Sequence, residues 1–495
     1  LIAAAGEDHV STAAAWTIVA DILLMGRKFE EAAKVLEPAS VYLFKLGDAR
    51  RSIPAYVRET LVLMPLDEPE LARRRFQTLL HLVEGTPDPG LRSALKVVAA
   101  LMEEKQGRHD EALKRIGEAI ELANEAVHPV RRATAFAFRA MLDASGGVEA
   151  AEEALRILDE RRVDGYESQP LVVGEHPWFA TSIAARAYLE AEGLEEAPRT
   201  ARLFELVQRA RAEHVQVALG GRRSILYATL PRVLHREFAK IRGALIEARA
   251  VGAEEEDAAR AFDAWVGRLR EDHPRVAALA FFEPVPLAAA QAALREDEAM
   301  LLQLDDDFAR VVIAITRTHA VAVKDYEVGD PLAAVAEIID GKARLLVLPE
   351  GSVAGLPWEA ADWKESKAAD TFEIHYLPSV ATFLSWRGEE KREPGEGAGR
   401  VGSGEGCLDA PGKRLASLLF EDEGLLRLSF DRAEVGHRSA LTLLREGWKA
   451  DLALLPALRV RQGPAPGGGA PAALVEALAC GGVREVVISL RGETS

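Results

Sequence analysis

The strongest candidate for chemistry in this sequence is a cysteine thiol activated by a histidine imidazole. Cys407 lies in the glycine-rich segment GSGEGCLDAPG, and His437 follows it 30 residues later. A thiolate attacks a peptide carbonyl when an imidazole takes up the thiol proton and later protonates the leaving amine. Cys407 and His437 are only the fallback nucleophile and base, because a loop is a poor support for two groups that must stay within hydrogen-bonding distance.

The other reactive side chains favour packing over catalysis. Cys480 lies in ALACGGV, where a predicted helix ends against two glycines, and the dipole at a helix carboxyl terminus disfavours a thiolate. We therefore expect a small buried residue there. The isolated histidines His214, His235 and His273 are typical of surface or packing positions on helices. The sequence has no HExxH motif, no P-loop and no metal-ligand cluster, so we expect neither a metal nor a cofactor.

Bulk composition excludes several classes of function. The 495 residues carry a formal net charge of −17, with 61 Lys and Arg against 78 Asp and Glu. This balance argues against nucleic-acid or membrane binding, because both need concentrated positive charge. Two cysteines exclude a disulfide framework. Since the sequence has no basic leader segment and no apolar run of about 18 residues, we expect a cytoplasmic protein.

Residues 1–165 are predicted to be helical, because apolar positions recur at helical spacing. Glycine followed by a small alanine returns in GRKFEEAA, GRHDEA and GGVEAA, where each glycine is predicted to end one helix and each alanine to open the packing face of the next. The pattern resembles tetratricopeptide (TPR) repeats, although Gly107 and Gly147 are 40 residues apart against about 34 in an ideal repeat. FKLGDARRSI, residues 44–53, is a weaker candidate unit. An irregular helical bundle is the alternative.

Residues 166–276 begin with the loop-like stretch GYESQPLVVGEHPW and return to long amphipathic helices that end at Pro274. They are either the last repeats or a helical connector that packs onto the next domain.

From about residue 277 to the end, β-branched runs alternate with helical stretches, which predicts a largely parallel sheet covered on both faces. The runs RVVIAIT and HAVAVKDY are separated by a short turn and are predicted to form a hairpin at the edge of that sheet. Residues 388–412 are rich in Gly, Glu and Pro and predict a flexible surface loop. The remaining predicted strands are ARLLVLPEG, FEIHYLPS, ADLALLP and REVVISL.

Four segments in series resemble the CHAT domain, a caspase-related domain that bacteria attach to TPR arrays. They are PVPLAAAQ…VAVKDY (284–326), LLVLPEGSVAGLPWEAAD (345–362), IHYLPSVATFL (374–384) and ADLALLPAL…REVVISL (450–490). The resemblance implies a caspase-like α/β/α sandwich over residues 277–495, preceded by a TPR-like helical-repeat domain. It also implies a Cys-His dyad at the carboxyl ends of two strands.

Both dyad positions have lost their reactive residue in this chain. The family's Leu-Ser-Ala-Cys matches residues 455–458, so that Leu458 replaces the thiol and the strand is predicted to run out at Pro456. The family's histidine strand matches LLRLSFDR, which places Arg427 at the first histidine and Asp431 or Arg432 near the second. Leucine supplies no nucleophile, and guanidinium stays protonated at physiological pH, so the family mechanism would not operate.

The sequence therefore leads to three hypotheses. The leading one is a pseudoprotease that binds a protein or peptide in a TPR groove and acts as a scaffold or regulator. The second is an active cysteine endopeptidase, whose dyad is either in another register or completed by residues absent from this chain. The third is a TPR adaptor whose α/β domain only caps the repeats.

Overall fold

The computed structural model describes most of residues 13–389 and the backbone of six strands between residues 415 and 492. The chain divides into two compact units, Leu1–Leu194 and a second unit that begins at Glu195. Within the described residues, no helix has the length and apolarity needed to cross a bilayer. The residues left undescribed are 1–12, 14–15, 18, 21–28, 46–48, 64–65, 67–68, 85–87, 126–128, 144–145, 161–176, 219–220, 252–254, 307, 325, 327–330, 349–357, 359–360, 365, 378, 390–414, 418–427, 430–431, 436–437, 440–451, 461–484 and 493–495.

The first unit is a series of helices in which each helix packs against the next. Apart from the last connection, which spans residues 161–176, the connections are three to five residues long, and such short links make contacting helices antiparallel. The helices are α1 (Phe29–Lys45), α2 (Ala49–Leu63), α3 (Pro69–Glu84), α4 (Pro89–Lys105), α5 (His109–Glu125), α6 (Pro129–Leu142), α7 (Gly147–Glu160) and α8 (Pro177–Glu190).

The even-numbered helices form a layer of their own. Helix α2 packs against α4, α4 against α6, and α6 against α8, in addition to their contacts with the odd-numbered helices. We call α2, α4, α6 and α8 the inner helices, and α1, α3, α5 and α7 the outer helices. The first unit is therefore built from hairpins of one inner and one outer helix: α2–α3, α4–α5 and α6–α7.

Two glycines at the hairpin turns are required for different reasons. Gly107 has φ 74°, and its N–H donates to the Glu104 carbonyl at 2.8 Å just beyond the end of α4. This left-handed position favours glycine. Gly147 instead begins α7, and a Cβ there would lie 2.9 Å from the Ala140 carbonyl oxygen. The predicted role of Gly147 as a helix end was wrong, because this glycine is needed for close approach of α6 and α7.

The predicted small packing positions are confirmed. Ala32, Ala112 and Ala151 are all fully buried where an outer helix meets its neighbour. The hairpin α2–α3 was missed, because proline and acidic residues rather than glycine connect its helices. FKLGDARRSI instead spans the end of α1 and the start of α2, which is the junction between successive hairpins.

A buried carboxylate links three helices of the first unit. Glu59 of α2 accepts a hydrogen bond from Ser40 Oγ of α1 at 2.6 Å, and its Oε1 lies 2.7 Å from Arg75 Nε of α3. Arg75 also donates to Glu37 at 2.9 Å. Burial outweighs these contacts and raises the pKa of Glu59 above its usual range.

The second unit opens with helices rather than strands. Helix α9 packs against strands β1 and β3 of the sheet, and helices α11 and α12 pack against each other. The helices are α9 (Glu196–Ala218), α10 (Gly221–Thr229), α11 (Arg232–Val251), α12 (Glu255–Asp272), α13 (Pro274–Ala280), α14 (Leu287–Ala293), α15 (Pro331–Ala334), α16 (Ala336–Ile339), α17 (Ala368–Thr371) and α18 (Val380–Glu389). The strands are β1 (Glu298–Asp305), β2 (Arg310–Ile315), β3 (Ala320–Lys324), β4 (Arg344–Leu348), β5 (Asp362–Trp363), β6 (Ser366–Lys367), β7 (Glu373–Tyr376), β8 (Leu415–Ser417), β9 (Leu428–Ser429), β10 (Arg432–Val435), β11 (Arg438–Ser439), β12 (Leu452–Val460) and β13 (Glu485–Gly492).

Side chains of α9 tie it to the α/β region. Gln208 makes two hydrogen bonds of 3.0 Å with the backbone N–H and carbonyl of Val285, and Gln216 donates to the Leu279 carbonyl at 2.8 Å. Arg211 donates to the Leu377 carbonyl at 3.4 Å, directly after β7. Helix α9 therefore covers the sheet. It lies within residues 166–276, for which the sequence predicted either the last repeats or a helical connector.

The main sheet has the order β3-β2-β1-β4-β7. The predicted hairpin β2–β3 is confirmed at its edge, with Ile313 paired antiparallel to Ala322. Strand β1 was missed as a strand, yet it is central, antiparallel to β2 and parallel to β4. Adjacent residues Met300 and Leu301 of β1 are both fully buried, so both faces of the sheet are covered, as predicted.

The remaining strands form separate sheets. Strands β13-β12-β8 pair in parallel, β11-β10-β9 pair antiparallel, and β5 and β6 form a two-stranded ribbon. The main sheet is mixed, because β1–β4 and β4–β7 are parallel while β1–β2 and β2–β3 are antiparallel. The described architecture is therefore a helical first unit followed by an α/β second unit.

Candidate functional site

Ligand sites of open α/β sheets lie outside the carboxyl ends of the parallel strands. In the main sheet this edge is formed by the ends of β1, β4 and β7, at Asp305, Leu348 and Tyr376. Several polar side chains lie at this edge.

Two polar pairs lie at the end of β1, one of them fully buried and the other with an exposed arginine. The Gln303 side-chain amide donates to the Tyr326 hydroxyl, and both residues are buried in the core. Asp305 accepts a hydrogen bond of 2.8 Å from Arg310 Nε, across the turn to β2. Burial raises the pKa of Tyr326 to about 12, so its hydroxyl stays protonated at physiological pH.

Trp358 follows β4 and completes this corner. Its backbone N–H donates to the Tyr376 hydroxyl at 3.1 Å, which links the segment after β4 to the end of β7. The indole ring lies in the same core cluster as Tyr326. Among the described groups, neither the Trp358 indole N–H nor the Gln303 amide oxygen has a hydrogen-bond partner.

These groups can bind and orient a ligand through hydrogen bonds, but they have little capacity to transfer protons. The Asp305 carboxylate is engaged with Arg310, the Tyr326 phenol ionises only at high pH, and amide and indole groups do not titrate. Within the described ranges, this edge of the main sheet thus offers hydrogen-bond donors and acceptors.

Leu458 does not lie at the tip of a strand. Strand β12 continues through Pro456 to Val460, and Leu458 pairs with Leu490 of β13. The register shifts between Leu455 and Leu458, because proline has no N–H to donate and an irregular step absorbs it before the ladder resumes. The prediction that the strand runs out at Pro456 was wrong.

Strand β12 lies between β13 and β8, and neither is the strand aligned with the family's histidine. Strand β8 pairs in parallel with the first half of β12, through Leu452↔Leu415 to Leu454↔Ser417. Strand β9, which starts directly after Arg427, pairs antiparallel with β10 instead. In sequence, the six residues after β8, LLFEDE, contain neither cysteine nor histidine.

The other predicted site residues lie outside the described residues. They are Arg427, Asp431, the pair Cys407 and His437, and Cys480, while Arg432 is the first residue of β10. The predicted loop 388–412 also falls there from residue 390 onward, and its first two residues belong to α18.

The opposite edge of the main sheet carries a charge cluster that sequence reasoning missed. Glu298, the first residue of β1, is buried and forms an ion pair with Arg387 of α18. Arg344 of β4 lies 3.9 Å from the same carboxylate and bonds to Glu373 of β7 at 2.8 Å. No sequence signal points to this cluster, because its members are separated by up to 89 residues. The charged groups of this cluster form ion pairs with one another, which indicates that the cluster has a structural role.

The inner helices of the first unit expose little surface. Seven successive residues of α8, Phe179–Ala185, are buried, and so are residues 55–60 of α2. Helix α4 leaves Arg92 and Lys96 at least partly exposed between residues 91 and 100, and α6 leaves Arg132, Phe136 and Arg139 among its partly exposed residues. We call these residues the α4–α6 face: Arg92, Lys96, Arg132, Phe136 and Arg139.

The α4–α6 face is basic and includes one aromatic ring. Lys96 pairs with Glu118 of α5, and Arg132 donates to Glu153 of α7 at 2.9 Å. The Arg132 guanidinium also lies 5.8 Å from the centre of the Phe136 ring. A groove along the inner helices, as predicted from the repeats, would therefore present this face to a ligand.

Within the part of the chain that the structure describes, no group of three or more His, Cys, Asp or Glu side chains is arranged to hold a metal ion. No protein-family model matches the sequence, and no curated protein matches it.

Proposed function

We propose that this chain is a non-enzymatic TPR–CHAT protein, a pseudoprotease that binds a protein or peptide segment and acts as a scaffold or regulator. The observation that carries the proposal is a series of inner-and-outer helical hairpins followed by an α/β unit, together with leucine at position 458, where the resemblance places the nucleophile. The proposed ligand surface is the α4–α6 face.

The construction of the first unit supports binding of a protein segment. Hairpins that contact mainly their neighbours form an extended layer, and such solenoids present extended surfaces to partner proteins. The α4–α6 face combines guanidinium groups with the half-exposed Phe136 ring. A segment that carries carboxylates and an apolar side chain matches this surface.

Loss of peptidase activity is supported by the strand arrangement around Leu458. This residue takes part in the β12–β13 ladder, and the residue after the end of β12 is Arg461. The strand beside β12 is followed in sequence by acidic and apolar residues. Neither position supplies a thiol or an imidazole, and cysteine catalysis requires both.

The second candidate function is a cysteine endopeptidase that uses Cys407 and His437. It is favoured by the presence of both residue types in one glycine-rich region. Purified protein should be incubated with fluorogenic peptides that carry basic or acidic residues before the scissile bond, alone and with candidate partners. We expect no turnover, and turnover abolished by Cys407→Ala would replace our proposal with this one.

A thiol-reactive peptide inhibitor gives an independent test. We expect slow, incomplete labelling of both cysteines in intact-mass spectra. Fast labelling of one cysteine at one equivalent per chain would indicate an activated thiolate.

The binding surface can be tested by selecting peptides from a random library on the intact chain. We expect Arg92→Glu/Arg139→Glu to weaken the selected peptides at least tenfold. Lys34→Glu/Lys114→Glu, which makes the same charge change on exposed positions of α1 and α5, is the matched control. Equal loss in both variants would contradict the α4–α6 face as the site. Cross-links confined to residues 1–165 would favour the pure adaptor.

A further inference from the structure

Helix α11 has a fully solvent-exposed face opposite its packing face. Phe238 and Leu245 are buried, and the Phe238 ring centre lies 5.1 Å from that of Trp265 in α12. At about 100° per residue, the exposed residues cover the side of the helix opposite this contact. We call these residues the α11 face: Arg232, Val233, Arg236, Ala239, Lys240, Gly243, Ala244, Ile246 and Glu247.

Three cations follow one another along the α11 face at intervals of one helical turn. Arg232, Arg236 and Lys240 are spaced four residues apart, which places them about 6 Å apart along the axis. Among the described residues, no acidic side chain pairs with any of the three. Like charges at this spacing destabilise a helix, so the stripe works against the stability of α11 itself.

The charge of α11 is opposite to that of the whole chain. The helix contains five Lys and Arg residues and two Glu residues, whereas the chain has a formal net charge of −17. Of the two glutamates, Glu237 pairs with Arg268 of α12, and Glu247 lies at the far end of the face. The positive charge of α11 is therefore concentrated on its exposed face, where it is accessible to an acidic partner.

Glycine and apolar residues on the same face indicate contact with another chain. Gly243 lies in the middle of α11, where glycine is a poor helix former, and a Cβ added there would meet no atom of the described residues within 4 Å. Ile246, three residues from Gly243, is 39% exposed, and Val233, near the start of the helix, is 69% exposed. The missing side chain at Gly243, on the same face as the three cations, leaves room for the close approach of another backbone.

We propose that the α11 face docks an acidic amphipathic segment of a partner protein, with carboxylates one helical turn apart and apolar side chains against Val233 and Ile246. This inference rests on the proposed scaffold function and adds a second surface with a defined ligand chemistry. A nucleic acid fits the site less well, because the stripe is about 12 Å long and the rest of the chain repels phosphates.

The test uses a fluorescent 18-residue helical peptide with Glu at three positions four residues apart and Leu beside them. Anisotropy titrations with the full chain should show binding that weakens as salt rises. We expect Arg236→Glu/Lys240→Glu to weaken binding at least tenfold and to bind the matching Lys peptide instead. Lys34→Glu/Lys114→Glu should change nothing. No binding to the natural sequence, or equal binding to both double variants, would overturn the proposal.

Gly243→Ala separates docking from folding. We expect it to raise the melting temperature and to weaken peptide binding threefold or more, because the methyl group occupies the contact. Gly117→Ala, at an open helical position of α5, should raise the melting temperature without affecting binding. If both variants bind the peptide as the natural sequence does, the proposed close approach of the partner backbone at Gly243 is wrong.

Two further measurements identify other occupants. If a labelled single-stranded RNA binds and Arg236→Glu/Lys240→Glu abolishes that binding while the acidic peptide does not bind, the site is for nucleic acid. Concentration-dependent dimerisation in sedimentation velocity that the same variant abolishes would make a second copy the occupant. Either result overturns the proposal but leaves the α4–α6 face and the peptidase assays untouched, so the two proposals fail separately.

Discussion

The two units bury a glutamate to the same extent but support it in different ways. Glu59 in the first unit and Glu298 in the second are each 2% exposed. The partners of Glu59 lie on the neighbouring helices α1 and α3, at most 19 residues away in sequence. Glu298 meets Arg387 from 89 residues away. In the helical unit the buried carboxylate is thus stabilised by sequence neighbours, whereas in the α/β unit it depends on a contact that closes a long loop.

Breaking the long-range pair should have the largest effect. Arg387→Leu leaves the buried Glu298 carboxylate without its main partner, which costs about 3 kcal/mol because Arg344 remains 3.9 Å away. Hydrogen exchange measured by mass spectrometry should show lost protection in β1 and β4 but not in α4–α7.

The double variant Glu298→Leu/Arg387→Leu is the control for this prediction. It removes both charges and should recover part of the loss. Equal loss of protection in both units would contradict the separation between them.

The next largest effect is expected at the carboxyl edge of β1. Tyr326→Phe removes the acceptor of the Gln303 amide and should cost about 1–3 kcal/mol in the free energy of unfolding, measured by urea titration. Gln303→Leu/Tyr326→Phe removes both polar groups and should be closer to the natural sequence. If the single variant is as stable as the natural sequence, the pair makes no net contribution.

A smaller effect is expected in the first unit at Gly107. Gly107→Ala forces alanine into a left-handed conformation and should lower the stability by about 1–2 kcal/mol. The loss of hydrogen-exchange protection should be confined to α4, α5 and their neighbours. Gly117→Ala on the same hairpin should instead stabilise it, and destabilisation by both would point to a general intolerance of substitution.

The smallest effect is expected from Glu59→Gln, and it depends on pH. Burial raises the pKa of Glu59 above its ordinary 4.5, so the folded state holds the proton more tightly than the unfolded state. The stability contributed by this group is present below pH 4.5 and is lost as the pH rises through the folded-state pKa. Urea midpoints of Glu59→Gln should therefore fall less than those of the natural sequence over this range. A parallel pair of pH profiles would show that the pKa of Glu59 is the same in the folded and unfolded states, which would contradict the prediction.

Local patterns in the sequence were sufficient for much of the fold. Helical periodicity predicted the first unit, the small alanines predicted its packing, and the short turn between two β-branched runs predicted the β2–β3 hairpin. These features depend on residues near one another in the chain. The hairpin α2–α3 was not predicted because its turn uses proline instead of glycine. Strand β1 was not predicted because its Leu- and Met-rich run lacks β-branched residues.

The candidate site was harder to predict. Sequence alone determined which residues are available: the leucine at position 458, the two cysteines and the basic stripe of α11. Tertiary structure decided that β12 continues through Pro456 and that β8 lies beside it. It also decided that Glu298 meets Arg387 and that Gly243 faces solvent. The physical reason is that strand pairing, burial and ion pairing between distant residues depend on how the chain closes its loops, and no local spacing encodes that.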